Sequence, residues 1–250
     1  MAEVSRTIGV QIQINEQNCD ATIGLVTIGI GDNLRTICAR IANAAQRSGR
    51  DAAEIKLIAV SKTHSPAVLR EAIDAGVSVF GENKVQEAEG KILEIGRGEI
   101  EWHLTGHLQS NKARKAVQLF DVIHSIDSLD IAQRLERICA DEGRDSLPVL
   151  IQVDLAGEET KSGIAESELP SLIEYLVSCE RLKLIGLMVL PPFFDDAEAT
   201  RPYFTRLREI RDRLLPGGEL SMGMSHDFEI AIEEGATMVR VGTAIFGERG

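Results

Sequence analysis

The segment LIAVSKTH at residues 57–64 joins an apolar run to a lysine, and it decides how the rest of the chain is interpreted. An aliphatic run without alternating polar residues is typical of a strand that is covered on both faces. In barrels and open parallel sheets, functional side chains lie at the carboxyl ends of such strands. The segment therefore predicts an α/β protein in which the amine of Lys62 lies on the functional face.

Two interpretations of Lys62 are open from this segment. A lysine partly removed from water loses its proton more readily, and a neutral amine forms Schiff bases with aldehydes and ketones. The alternative is a lysine that extends its ammonium into solvent and has no chemical role. The segment alone favours the second interpretation, so the choice depends on the rest of the chain.

Composition and charge limit the possible partners. The chain has 250 residues, of which 44% are hydrophobic, and this length suits a single α/β barrel. A formal net charge of -12 argues against nucleic acid or an anionic membrane as the main partner. The four cysteines are widely separated and the N-terminus lacks a secretory signal, so we expect a cytoplasmic protein with reduced thiols.

Strand-like and helix-like segments alternate along most of the chain. The predicted strands cover residues 54–61, 77–81, 100–105, 122–125, 148–154, 183–189, 219–222 and 237–241. The predicted helices cover residues 32–50, 65–75, 85–95, 111–119, 128–142, 166–178, 197–214 and 227–234. Such alternation implies parallel strands with crossover helices, and eight units favour a closed (β/α)8 barrel over an open sheet of six or seven strands.

We interpret residues 32–250 as one barrel domain, because no linker or shift in composition divides them. Residues 1–31 stand apart as an N-terminal extension of uncertain structure. They contain alternating apolar residues but fit no position in the repeating pattern.

Two strand ends near the C-terminus predict an anion site. The segments LSMGMSHD at 220–227 and VRVGTAIFG at 239–247 both end in small or hydroxyl residues. Phosphate sites in barrels are often built from the loops after the seventh and eighth strands. Ser225, Gly242 and Thr243 are therefore candidate phosphate ligands. The alternative is that Ser225 or Asp227 caps a helix and Gly242 only makes a turn.

Arg240 lies within a strand, between valines, where a guanidinium requires hydrogen-bond acceptors. In one interpretation Arg240 donates to a ligand heteroatom near Lys62. In the other it pairs with a core carboxylate, for which Asp154 and Glu82 are the candidates.

A metal site is not expected. His103 and His107 are four residues apart, but they fall on a strand and the loop after it, and no cysteine or carboxylate nearby completes a set of ligands. We interpret Lys161 as a solvated or phosphate-contacting loop lysine rather than a second Schiff-base residue.

Seven motifs, in this order, make the chain similar to the pyridoxal-phosphate homeostasis protein family over residues 32–249. They are AVSKT at 59–63, GENKVQEA at 81–88, WHLTGHLQSNK at 102–112, HSIDS at 124–128, GLM at 186–188, LSMGMS at 220–225 and VRVGTAIFG at 239–247. The departures from the family pattern are the N-terminal extension and Lys84, where an aromatic residue or arginine is frequent.

The resemblance implies a barrel like the N-terminal domain of alanine racemase, a fold-type III protein, with pyridoxal 5'-phosphate (PLP) held by a lysine aldimine. The matching motifs imply that Lys62 carries PLP, that Arg240 faces the pyridine nitrogen and that Asn83 lies near the ring. The full set of implied cofactor-binding residues is Lys62, Asn83, Met224, Ser225, Arg240, Gly242 and Thr243, with Ser225, Gly242 and Thr243 at the phosphate.

Two features then bear on activity. Arginine retains its proton, so Arg240 leaves the pyridine nitrogen unprotonated and weakens the ring as an electron sink. The related racemases also use a tyrosine from a separate β-domain, whereas Tyr175 and Tyr203 of this chain fall in predicted helices.

We therefore expect a monomeric, non-catalytic protein of PLP (vitamin B6) homeostasis, which buffers or delivers PLP and affects amino-acid and keto-acid pools, with apo PLP enzymes as candidate recipients. The alternatives are a weak PLP-dependent racemase or decarboxylase, and a class I Schiff-base aldolase.

Overall fold

The structure is a computed structural model that describes residues 29–157 and 162–247. Its strands are β1 (Lys56–Val60), β2 (Val79–Glu82), β3 (Glu101–Leu104), β4 (Val122–Ile126), β5 (Leu147–Asp154), β6 (Ile164–Ala165), β7 (Leu182–Val189), β8 (Glu219–Ser221) and β9 (Met238–Val241). All of them pair in parallel. The pairings β4–β5 and β9–β1 close eight strands into a ring, and the two-residue β6 lies beside β5 outside that ring. The predicted barrel is confirmed, and the open-sheet alternative is wrong.

Helices cover the outside of the ring. They are α1 (Ile30–Arg47), α2 (Pro66–Asp74), α3 (Val85–Ile95), α4 (Ala113–Leu119), α5 (Leu129–Asp141), α6 (Leu169–Ser178), α7 (Arg201–Leu214), α8 (Phe228–Glu233) and α9 (Thr243–Phe246). The sequence analysis missed α9, which follows the last strand, because four residues are too few to establish a helical period. No helix within the described ranges is long and apolar enough to cross a membrane.

Local signals account for several of the helix ends. Helix α1 ends just before Gly49, whose φ of 70° is costly for residues with a side chain. Pro66 occupies the first position of α2, where its missing N–H is not needed. The Ser128 hydroxyl accepts a hydrogen bond from the Ile131 amide and caps α5.

The core has two layers of unequal size. The large outer layer fills the space between the strands and the helices, and Trp102 and Phe80 stack there. The inner apolar layer, inside the barrel, consists of Ile58, Val122, Leu150, Met188 and Met238. Towards the carboxyl ends of the strands, the next inward positions after Val122, Leu150 and Met238 are polar: His124, Gln152 and Arg240. This change positions the site.

The strand register explains which polar residues point inward. Arg240 pairs with Ile58, and His103 pairs with Val122. Arg240 and His103 therefore lie on the same side of the sheet as the inner layer. Both polar side chains are almost completely buried.

The predicted N-terminal extension lies mostly at residues 1–28, outside the described residues. Its assignment as a separate segment stays a prediction.

Candidate functional site

A cavity of about 500 Å³ opens at the carboxyl ends of the barrel strands. It brings together Lys62 from the end of β1, Asn83 from the end of β2 and Arg240 from β9. Its lining residues are Val60, Lys62, Asn83, Thr105, Gly106, His107, Leu190, Pro191, Phe193, Met224, Arg240, Gly242 and Thr243. Six of the seven residues implied by the resemblance therefore line one cavity, and the seventh, Ser225, lies directly behind Gly242.

The loop that carries Lys62 is held by a buried ion cluster. The ammonium of Lys91 donates to the Ser61 carbonyl at 2.7 Å and contacts the carboxylates of Glu82 at 2.7 Å and Glu87 at 2.6 Å. Glu87 also accepts a hydrogen bond from the amide of Thr63. Both neighbours of Lys62 in the chain are therefore fixed by the same cluster.

Thr63 has the unusual φ of 70° for a residue with a branched side chain. A left-handed conformation of this kind costs about 1 kcal/mol or more. Since the loop keeps it, the contacts of Glu87 and Lys91 must compensate for the strain. The strained turn directs the chain sharply away from β1 just after Lys62.

The two carboxylates of this cluster have opposite pKa shifts. Burial raises the pKa of Glu82, although hydrogen bonds from Lys91 and Ser61 oppose the shift. Burial also acts to raise the pKa of Glu87, but the hydrogen bonds from Lys91 and the Thr63 amide outweigh it and lower that pKa. Glu82 has one oxygen with a hydrogen-bond partner and a second, Oε2, buried without one. The ammonium of Lys91 therefore balances the charge of the buried Glu82 carboxylate beneath the loop that carries Lys62.

The hydroxyl of Ser225 organises the loop after β9. Its Oγ accepts hydrogen bonds from the amides of Gly242 at 3.2 Å and Ala244 at 3.3 Å. The alternative raised from the sequence, that Ser225 or Asp227 caps the following helix, is wrong, because neither side chain caps α8. Instead the Asp227 carboxylate accepts a hydrogen bond from the Met224 amide at 2.6 Å, which fixes the loop between β8 and α8. The Ser225 hydroxyl and two backbone amides thus meet at the ends of the last two strands.

Close backbone contacts at two positions explain why glycine is required there. A Cβ on Gly242 would lie 3.0 Å from the Val60 carbonyl oxygen, so this loop packs directly on the end of β1. A Cβ on Gly106 would lie 2.2 Å from the Asn83 carbonyl oxygen. The Thr105 hydroxyl completes this contact by donating to Asn83 Oδ1 at 3.1 Å, which orients the amide in the cavity wall.

Arg240 is 4% exposed and donates to two neutral acceptors. Its Nη1 lies 2.7 Å from Ser221 Oγ, and its Nη2 lies 2.9 Å from the Val189 carbonyl oxygen. Pairing with Asp154 or Glu82, the alternative raised from the sequence, is therefore wrong.

Burial lowers the pKa of Arg240 to about 10, while the charge of Asp227 opposes the shift. The guanidinium still keeps its charge at neutral pH. Because it has five N–H donors and these two bonds use two, others remain for a ligand in the cavity.

The other predicted features lie apart from the cavity or outside the described residues. His103 is buried in the barrel, whereas His107 is at the cavity and contacts Asp127 at 3.0 Å, so the two rings do not form a metal site. The residues that the structure describes contain no cluster of potential metal ligands. Tyr175 and Tyr203 lie on α6 and α7, and Lys161 lies outside the described residues.

Several lining residues were not singled out from the sequence. Thr105 and His107 belong to a motif noted at a strand end, and that position was the available signal. Phe193, which is exposed, also lines the cavity, but an isolated apolar residue in a loop carries no pattern that could have predicted this.

The sequence of this chain is similar to those of known protein families. Residues 33–250 match the family described as alanine racemase, N-terminal domain. The pyridoxal phosphate homeostasis protein of Pseudomonas aeruginosa is 47% identical over 221 residues, which are 88% of this chain and 96% of that protein. The homologue of the same name from Aquifex aeolicus is 43% identical over 225 residues, 87% of this chain and 97% of the relative.

The chain belongs to the pyridoxal phosphate homeostasis protein family. Among solved structures, PipY of Synechococcus elongatus without PLP is 40% identical, with a TM-score of 0.78 over 87% of this chain and all of that one. PipY with PLP bound is 43% identical, with a TM-score of 0.74 over 84% of this chain and all of that one. Alanine racemase from Corynebacterium glutamicum is 20% identical, with a TM-score of 0.61 over 85% of this chain and 60% of that chain, a likeness of fold alone.

Proposed function

We propose that this protein binds PLP through Lys62 and serves as a reservoir of the cofactor in PLP homeostasis. The observation that carries the proposal is that Lys62, Arg240 and the Gly242 loop line one cavity at the carboxyl ends of the strands. A relative that is 43% identical has been solved with PLP bound, which supports the same ligand here.

The donors and acceptors of the cavity suit the three chemical parts of PLP. A phosphate suits the loop in which the Gly242 and Ala244 amides converge on the Ser225 hydroxyl, since that hydroxyl still has its own proton to donate. The pyridine nitrogen suits the remaining donors of Arg240. The aldehyde suits the amine of Lys62, which follows the neighbouring strand β1.

When bound, PLP supplies an aldehyde that a lysine amine attacks and a ring that withdraws electrons from attached amino acids. Arg240 would weaken the second property, because a guanidinium at the ring nitrogen would donate to it without giving up a proton. Its two neutral acceptors hold it firmly in that role. The residues of the cavity therefore favour retention of the cofactor over efficient turnover.

The absorbance spectrum of the purified protein tests the proposal. We expect a visible band that borohydride removes, with the reduced label on the peptide containing Lys62. Lys62→Ala should abolish the band, whereas Lys183→Ala, at an exposed lysine of β7, should preserve it. A colourless protein that borohydride labels only in the presence of a sugar phosphate would instead support the aldolase alternative.

Weak PLP-dependent racemase or decarboxylase activity is a second candidate function, and His107 favours it. Its imidazole lines the cavity, is 51% exposed and lies 3.0 Å from a carboxylate oxygen of Asp127. A histidine that a carboxylate orients in this way has the geometry of a general acid or base. Chiral and mass analysis of an amino-acid panel, with His107→Ala as the comparison, would detect the activity.

Delivery requires a recipient, for which we propose apo PLP enzymes. Mixing the loaded protein with an apo enzyme should restore that enzyme's activity faster than release into buffer allows. We also propose that the protein is a monomer, which sedimentation analysis with and without PLP would test.

A further inference from the structure

A chain of polar side chains crosses the barrel interior from the cavity to its opposite, amino-terminal end. The consecutive contacts are Arg240 Nη1 to Ser221 Oγ at 2.7 Å, Ser221 Oγ to His124 Nδ1 at 2.9 Å, His124 Nε2 to His103 Nδ1 at 2.7 Å, His103 Nε2 to Glu101 Oε1 at 2.9 Å, and Glu101 Oε2 to Lys56 Nζ at 3.1 Å. Ser221, His124 and His103 are each 0% exposed. We call these residues the polar relay.

Arg240 and Glu101, at the two ends of the relay, favour one direction for the hydrogen bonds between them. Arg240 can only donate, so Ser221 accepts from it and has its own proton available for His124 Nδ1. At the other end Glu101 is ionised and can only accept, because the hydrogen bond from His103 and the neighbouring Lys56 lower its pKa to about 2. His103 must therefore carry its proton on Nε2.

With both ends fixed, His124 must also carry its proton on Nε2, and donate it to His103 Nδ1. The reverse arrangement would place an imidazole lone pair against the Glu101 carboxylate, or would require a charged imidazolium. Burial opposes the second possibility, since it lowers the pKa of His103 and, more strongly, that of His124. His103 Nε2 lies 2.9 Å from Glu101 Oε1 without the alignment of a hydrogen bond, so Glu101 acts on His103 through its negative charge, which favours a proton on Nε2.

The charged groups around His103 act on its pKa in both directions, and burial is the larger effect that lowers it. His103 faces Glu101 on its own strand, Lys56 on β1, His124 on β4 and Asp121 just before β4. His124 faces His103, Lys56 and Arg240, all of which disfavour its protonation. Both rings therefore stay neutral at neutral pH, and the relay keeps one fixed polarity.

The polarity of the relay determines how Arg240 is held at the cavity. Since Ser221 gives its proton to His124, its lone pairs are turned towards Arg240. The guanidinium is then held by Ser221 on one side and by the Val189 carbonyl on the other, and no carboxylate among the described residues pairs with it. Arg240 also lines the cavity, so its remaining donors can serve a ligand there.

We propose that His124 and His103 are positioning residues which, through Ser221, fix Arg240 against the ring nitrogen of the bound cofactor. This inference rests on the proposed function as far as the identity of that cofactor is concerned. It assigns a role to two buried histidines that lie too deep to contact a ligand themselves.

Two substitutions at His124 separate positioning from packing. His124→Leu removes the acceptor for the Ser221 proton, and we expect about a tenfold rise in the Kd for PLP, together with a shifted and more pH-dependent visible band. His124→Asn offers an amide oxygen close to the former Nδ1, and it should restore binding to within about threefold of the unsubstituted protein. Ser221→Ala should reproduce the leucine variant without altering either ring.

Leu150→Val is the matched control, because it perturbs the inner layer of the same barrel without touching the relay. Thermal unfolding would verify that each variant is folded. If Leu150→Val shifts the band as His124→Leu does, or if the leucine variant binds PLP normally with an unchanged band, the positioning role is wrong while the proposed function stands.

The tautomers of His103 and His124 can be measured without the cofactor, whether or not PLP binds. The chain has five histidines, so nitrogen chemical shifts of the imidazoles can be assigned by single substitutions. We expect His103 and His124 to be neutral Nε2–H tautomers between about pH 6 and pH 9. Finding either ring as the Nδ1–H tautomer or as an imidazolium would overturn the relay, whatever the ligand. Absence of PLP binding would end the proposed function and with it the role of the relay at the cofactor.

Discussion

The ammonium of Lys91 lies 2.7 Å from the carbonyl oxygen of Ser61, the residue that precedes Lys62. Lys91 is on the third helix, thirty positions along the chain, yet its side chain is 5% exposed and serves the loop of the first strand. The loop geometry that presents Lys62 to the cavity thus depends on a residue that never reaches the cavity itself.

Replacing Lys91 by methionine should destabilise the protein by about 3 kcal/mol, because it leaves the buried carboxylate of Glu82 without its counter-ion. Urea denaturation would measure the loss. Lys115→Met removes an exposed ion pair with Glu89 and should change the free energy of unfolding by less than about 1 kcal/mol. Equal effects in the two variants would contradict the role of the buried cluster.

Acid should remove a stabilising contribution of Glu101. Its folded-state pKa of about 2 lies below the ordinary value of 4.5, so the contribution is present above pH 4.5 and is lost as the pH falls through about 2. Since Glu101 is partly exposed, we expect a contribution of about 1 kcal/mol. The difference in unfolding free energy between the unsubstituted protein and Glu101→Gln should shrink over that range, and a constant difference would count against it.

Gly242→Ala should weaken PLP binding and cost about 1 kcal/mol or more of stability, since the added methyl group would press on the Val60 carbonyl. Gly90→Ala is a suitable comparison, because Gly90 lies within α3 with open space around it. That substitution should stabilise the protein by about 0.5 to 1 kcal/mol. Thermal unfolding would measure the change in stability of both variants, and titration with PLP would measure the change in affinity.

Ser225→Ala should reduce affinity for PLP by about tenfold but leave the weaker affinity for pyridoxal, which lacks the phosphate, nearly unchanged. The reason is that the Ser225 hydroxyl gathers the Gly242 and Ala244 amides at the proposed phosphate position. Titration with both ligands measures the ratio. A proportional loss for the two would show that Ser225 does not act on the phosphate.

Much of the fold could be predicted from local patterns. The aliphatic run before Lys62, the helical spacing of apolar residues and the glycines after helices are all properties of neighbouring residues, and they located the eight strands. The helix over 85–95 was predicted with the bounds that the structure has. Short elements such as α9 and β6 were missed because they contain too few residues to show a period.

The site was predictable only in part. Lys62, Asn83 and Arg240 sit at the carboxyl ends of strands or point inward by alternation, and both rules can be applied to a sequence. The protein partners of Arg240 could not be found this way: the sequence offered a core carboxylate as the alternative to a ligand, whereas Ser221 and a backbone carbonyl are the acceptors. Neutral acceptors leave no charge pattern in a sequence.

The sequence by itself determined the alternation of strands and helices, the lysine at the first strand end and the small residues at the last two. These follow from chain-local spacing and from the conformational limits of glycine and proline. Only the tertiary structure decided that the ring closes, that His124 meets a serine ninety-seven positions away, and that Lys91 lies under the loop of Lys62. Such contacts depend on strand register and side-chain direction, which are set when all eight strands pack together.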